Sequence, residues 1–94
     1  MKTANITTRT AHYEVKTVNS TYYVRFIPGQ YDWRFQERPD RIEAWGHNKR
    51  FEIFQLPQCG IQMSGAGFYK YFRSTKVQSI RKINRKTFSN AIRR

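Results

Sequence analysis

A chain of 94 residues is enough for one domain and leaves no room for a second independent core. Eighteen Lys and Arg against six Asp and Glu give a formal charge of +12, which turns the search for a partner toward polyanions and away from cationic ligands. No apolar run approaches the about 20 residues that span a bilayer, the opening MKTANITTRT has no apolar stretch after Lys2, and the lone Cys59 permits no internal disulfide; neither membrane insertion nor secretion is expected, and a reducing, cytoplasmic setting fits best.

In chain order the first expected element is a strand over residues 12–18, where Tyr13, Val15 and Thr17 alternate with His12, Glu14, Lys16 and Val18. Asn19 and Ser20 make a turn. Residues 21–27 run as the second strand, with Tyr22, Val24 and Phe26 opposite Tyr23, Arg25 and Ile27, until Pro28 and Gly29 end it. Tyr31, Trp33 and Phe35 alternate with Asp32, Arg34 and Gln36, predicting a half-buried third strand that Pro39 stops. A second hairpin is expected from residues 41–45 and 50–56 around the turn-forming Gly46, His47, Asn48 and Lys49. Residues 57–67, with three glycines and a proline, read as a loop anchored by little more than Ile61 and Met63. Residues 68–72 fit either a short last strand or the lead-in to a helix.

From Ser74 or Thr75, either a good N-cap, the apolar period lengthens. At about 100° per residue, Val77, Ile80, Asn84, Phe88 and Ala91 share one side, with Ile83, Thr87 and Ile92 on its margins. The spacing predicts a basic amphipathic helix over residues 74–94, with Lys82, Arg85, Lys86 and Arg93 on the opposite side and Gln78 and Ser89 between them. The expected architecture is therefore α+β within a single basic domain spanning residues 1–94. Residues 1–73 supply an antiparallel sheet of four to six strands built from two hairpins, and the C-terminal helix packs on it.

The placement of charge matters more than its size. The first 52 residues carry nine basic and six acidic side chains, whereas the nine basic residues between Lys70 and Arg94 have no acidic residue among or after them. A one-sided block of cations costs stability through self-repulsion, and a partner of opposite sign is the usual reason to keep it. Lys70, Arg73, Lys76, Arg81, Lys82, Arg85, Lys86, Arg93 and Arg94 are the expected phosphate contacts, since neutralising phosphates releases condensed counterions. Several aromatics neighbour cations along the chain, as in Tyr23-Val24-Arg25 and Tyr69-Lys70-Tyr71, and Tyr23, Trp45, Tyr69 and Tyr71 are the candidate base-stacking residues.

Catalytic and metal constellations are weaker. Cys59, His12 and His47 are the only soft or imidazole ligands and show no paired spacing, so the sequence implies no metal and no cofactor. Cys59 reads as a small apolar residue. Glu14-Val15-Lys16 has the form Glu-x-Lys without the preceding acidic residue that a metal-dependent nuclease needs. The expected function is a small non-enzymatic nucleic-acid-binding protein that contacts phosphates through its basic C-terminal helix. The alternatives are a small inhibitor or adaptor, of the kind phages and mobile elements encode, that docks on an acidic surface of a larger host protein, and a metal-free ribonuclease using His12 or His47 as acid and base.

Overall fold

The computed structural model describes residues 10–29, 31–32, 36–37, 40–67 and 70–93. Among them the elements are β1 (Ala11–Thr17), β2 (Thr21–Ile27), β3 (Tyr31–Asp32), β4 (Gln36–Glu37), β5 (Arg41–Gly46), β6 (Lys49–Ile53), β7 (Gln62–Ala66), β8 (Tyr71–Ile83) and α1 (Arg85–Ile92). Six strands close into an antiparallel barrel in the order β1-β2-β5-β6-β7-β8, with β8 paired back onto β1. The expected open sheet of two hairpins is thus a closed barrel.

The two hairpins form as their alternation predicts. Tyr13, Val24, Ala44 and Phe51 lie side by side across β1, β2, β5 and β6, on the face that also carries Val15, Tyr22 and Ile53. These residues fill the barrel together with Met63, Phe72 and Val77, as expected for a barrel too narrow to hold a lumen. Val15 and Val24 are fully buried, and each contributes about 1.5–3 kcal/mol by leaving water. His47 and Asn48 connect β5 to β6 with φ of 53° and 62°, the paired positive values of a type I′ turn, whose twist matches that of the flanking strands.

Three expectations are corrected. Among the described residues the expected third strand is reduced to β3, which with β4 makes a separate two-stranded ribbon of two residues each, while residues 33–35 lie outside those described. The expected loop over residues 57–67 contains β7, where Met63 points into the core and Gly65 lets two strands meet. A Cβ at Gly65 would overlap the Glu52 carbonyl oxygen and stand 2.7 Å from the Ile53 Cα, both of them backbone atoms that cannot swing aside.

The largest correction concerns the C-terminal segment. Residues 71–83 form a 13-residue strand, and the helix covers only Arg85–Ile92. The first half of β8 pairs with β7 and the second half with β1. The register slips on both sides, leaving an extra residue near Ser74 and Thr75 and another at Gln78. Such bulges bend and twist a strand, which lets one long strand wrap far enough to close the barrel. Tyr71, Phe72, Thr75, Val77, Ile80 and Ile83 are aromatic or β-branched and suit this role. The helix begins only where Asn84 can cap it, its side chain accepting a hydrogen bond from the Thr87 amide at 2.7 Å.

α1 lies outside the barrel, against β1 and β2. Its one buried residue, Phe88, is 1% exposed and packs on the outward-facing His12 and Trp45, at ring-centroid distances of 4.6 and 5.2 Å. This outer cluster is separate from the barrel core.

Candidate functional site

Four carboxylates have described partners: Glu43, Glu52 and Asp40 are engaged within the N-terminal half, and Glu14 holds Arg81 of the C-terminal block. Glu43 is 3% exposed on the outer face of β5 and accepts from the Arg25 Nε at 3.0 Å, from Arg41 at 3.1 Å and from Arg50 at 2.5 Å. Its cross-strand neighbour Glu52 is held by the same Arg41 and Arg50, at 3.3 and 3.5 Å, so two carboxylates stand opposite one another without net repulsion. Burial alone pushes the Glu43 carboxyl up, but the hydrogen bonds from Arg50 and Arg25 and their charges outweigh it and hold the group below its ordinary value. Glu14 takes Arg81 at 3.0 Å, and Asp40 accepts from the Gly29 amide at 2.5 Å.

Arg81, placed among the expected phosphate contacts, is thereby locked to the N-terminal half. Lys70, Arg73, Lys76, Lys82, Arg85, Lys86 and Arg93 form no ion pair with Glu14, Asp40, Glu43 or Glu52, and all seven are exposed. Arg94 and Tyr69 lie outside the described residues. The expected helical stripe of Lys82, Arg85, Lys86 and Arg93 is broken, because Lys82 belongs to β8, as do Arg73 and Lys76, with Lys70 in its lead-in. What remains on α1 is shorter: Lys86 and Arg93 lie two turns apart on the side away from Phe88, with Arg85 at the helix start. No acidic residue occupies the first turn of α1, so Arg85 and Lys86 sit at the positive end of the helix dipole, an arrangement an anion would relieve.

Four of these cations border two grooves, Lys82 and Arg85 the first, Lys70 and Arg73 the second. One, of about 660 Å³, lies where β8 passes into α1 and is lined by His12, Arg25, Lys82, Asn84 and Arg85. Here burial lowers the His12 pKa from the ordinary value, and the nearby charges of Arg25 and then Arg85 lower it further. The other, of about 690 Å³, opens at the end of the barrel where the β5–β6 turn meets the start of β8. His47, Lys49, Arg50, Lys70 and Arg73 surround it, Tyr22, Phe51 and Phe72 form its floor, Tyr71 stands at its rim, and none of its described lining residues is acidic. The floor rings are fixed by one another: Phe51 and Phe72 stack at 4.1 Å, and Tyr22 meets Phe72 edge-on at 5.3 Å. His47 is held by Ser20 Oγ at 2.9 Å and by the Tyr22 ring.

Of the candidate stacking residues, Trp45 and Tyr23 are partly covered. Arg25 lies over the Trp45 ring at 5.0 Å and Phe88 meets its edge, while the Tyr23 hydroxyl donates to Glu14 at 3.5 Å. Tyr71 is 88% exposed. His12 and His47 line different grooves, so the structure does not bring the two imidazoles together. Cys59 is exposed rather than packed, its Sγ 3.7 Å from the Gln78 carbonyl. His47, Lys49 and Arg50 were not singled out as contacts; the signal was their position in a hairpin turn, which becomes a groove wall only once the barrel closes. Among the described residues no group of three or more His, Cys, Asp or Glu gathers as a metal site, and no helix is long and apolar enough to cross a membrane. Comparison with known proteins finds no family model, no curated protein and no solved structure that matches this chain.

Proposed function

We propose that this protein binds nucleic acid without catalysing a reaction, its phosphate contacts coming from β8 and α1 together rather than from a helix alone. The observation that carries the reading is the division of charge. Glu14, Asp40, Glu43 and Glu52 are engaged by Arg25, Arg41, Arg50, Arg81 and a backbone amide, while seven exposed cations between Lys70 and Arg93 pair with none of these four. Solvated protein surfaces ordinarily mix signs, and a face of one sign concentrates polyanions beside it.

The test is binding of labelled duplex and single-stranded oligonucleotides across a salt series. With about five phosphates neutralised, log affinity falls against log salt with a slope of about −4 to −5 on duplex and about −3.5 on single strands. An affinity indifferent to salt between about 50 and 200 mM overturns the reading. A second reading, the adaptor for a larger acidic protein, draws on the exposed Phe54, Leu56 and Ile61 between β6 and β7, which are 66, 43 and 47% exposed. It predicts a stoichiometric protein partner that survives nuclease treatment and is lost in Phe54→Asp.

A further inference from the structure

We infer that the groove at the end of the barrel takes unpaired nucleic acid, with a base stacked on Tyr71 and the adjoining phosphates against Lys49, Lys70 and Arg73. This rests on the nucleic-acid reading above and deepens it.

Four features of the groove converge on that ligand. The cations supply charge complementarity for a phosphate backbone, and no carboxylate stands among the described lining residues to oppose it. Tyr71 is the most exposed large aromatic side chain among the described residues, and its cross-strand partner is the small Ala66, so the ring has no packing role on its own sheet. The floor is aromatic, an extension of the barrel core through Phe72 and Phe51 toward the rim. The wall is pre-set: His47 is held at a positive φ that histidine adopts only at a cost, with its ring fixed between Ser20 and Tyr22.

Duplex would use only half of this. The outside of a double helix offers phosphates and sugars, and its bases are already stacked on one another, so an exposed tyrosine above an aromatic floor gains little from it. An unpaired strand offers both an anionic backbone and free π-faces, and every base has one, so the contact tolerates any sequence. An acidic protein surface would satisfy the cations but would leave Tyr71 without a planar partner.

The experiment measures the full chain by fluorescence anisotropy against four probes: oligo-dT, oligo-U, a mixed-sequence duplex of equal length, and polyglutamate. The variants are Tyr71→Ala and Tyr71→Phe, at a position exposed enough that folding is not at stake. Tyr71→Ala should weaken one or both single strands by between about fivefold and about a hundredfold, Tyr71→Phe should restore binding, and duplex affinity should stay unchanged. Whether oligo-dT or oligo-U is held more tightly identifies the source of the strand. If nucleic acids bind with the expected salt slope but Tyr71→Ala leaves the single strands unaffected, or weakens duplex equally, this inference fails alone. If no nucleic acid binds, or polyglutamate binds as tightly as every oligonucleotide, both readings fail.

Discussion

His12 illustrates how a single side chain ties the helix to the charge of the molecule. It is 8% exposed beneath Phe88, with Arg25 beside it in the sheet and Arg85 at the start of α1. Burial first, and then the two guanidinium charges, lower its pKa below the ordinary 6.5. A histidine whose folded pKa is depressed releases its proton on folding at any pH between the two values. Its stabilising contribution is therefore complete above the ordinary value and is lost as pH falls through the folded one. Glu43 acts in the same direction in a lower window, below its ordinary 4.5, because its arginines hold it ionised. Melting temperature should therefore fall in two stages on acidification. His12→Gln should remove the upper stage and spare the lower, and an unchanged upper stage in that variant would assign it to other groups.

At the scale of the element, α1 depends on one contact. Eight residues are too few for a helix to persist alone in water, so α1 exists only while Phe88 is docked. Phe88→Ala removes a fully buried ring, a change that costs about 3–5 kcal/mol in a close-packed site. Because Phe88 stands outside the barrel core, the loss should be local. Amide hydrogen exchange in that variant should lose protection across Arg85–Ile92 and keep it in β2 and β5, whereas collapse of protection in β2 would mean that the helix is part of the barrel's cooperative unit.

The same segment shows what the sequence conceals. β1, β2, β5 and β6 were legible because strict alternation and turn residues are local properties, and their observed bounds differ from the expected ones by only a few residues. β8 was not legible, because its two bulges space the inward Phe72, Ser74 and Val77, and then Ile80 beside buried Val15, by two or three residues. Mixed spacings of that kind mimic the three-and-four rhythm of a helix. β7 was hidden for the opposite reason: the close approach that needs Gly65 leaves it almost no side chain to read. Barrel closure has no local mark at all, since it joins residues 12–17 to residues 77–83. The basic residues themselves were visible from composition; the groove that gathers Lys49, Lys70 and Arg73 beside Tyr71 was not, because it exists only after closure.

For the whole molecule, salt should act in opposite senses on folding and on binding. A formal charge of +12 on 94 residues makes the compact state self-repelling, and the described ion pairs relieve only Arg25, Arg41, Arg50 and Arg81 among the described cations. Raising ionic strength shortens the Debye length to about 10 Å at 0.1 M, which weakens repulsion between exposed cations spread along β8 and α1. Glu43 is itself buried and close-paired with its arginines, so its pairs are screened less than the exposed cations are. Melting temperature should therefore rise between about 20 and 200 mM sodium chloride while affinity for a polyanion falls over the same range. A saturating polyanion should raise melting temperature most at the low-salt end, where it both binds tightest and relieves the most repulsion. A melting temperature that drops as salt is added would show that attractive surface pairs outweigh the C-terminal repulsion, and would remove the physical reason for expecting an anionic partner.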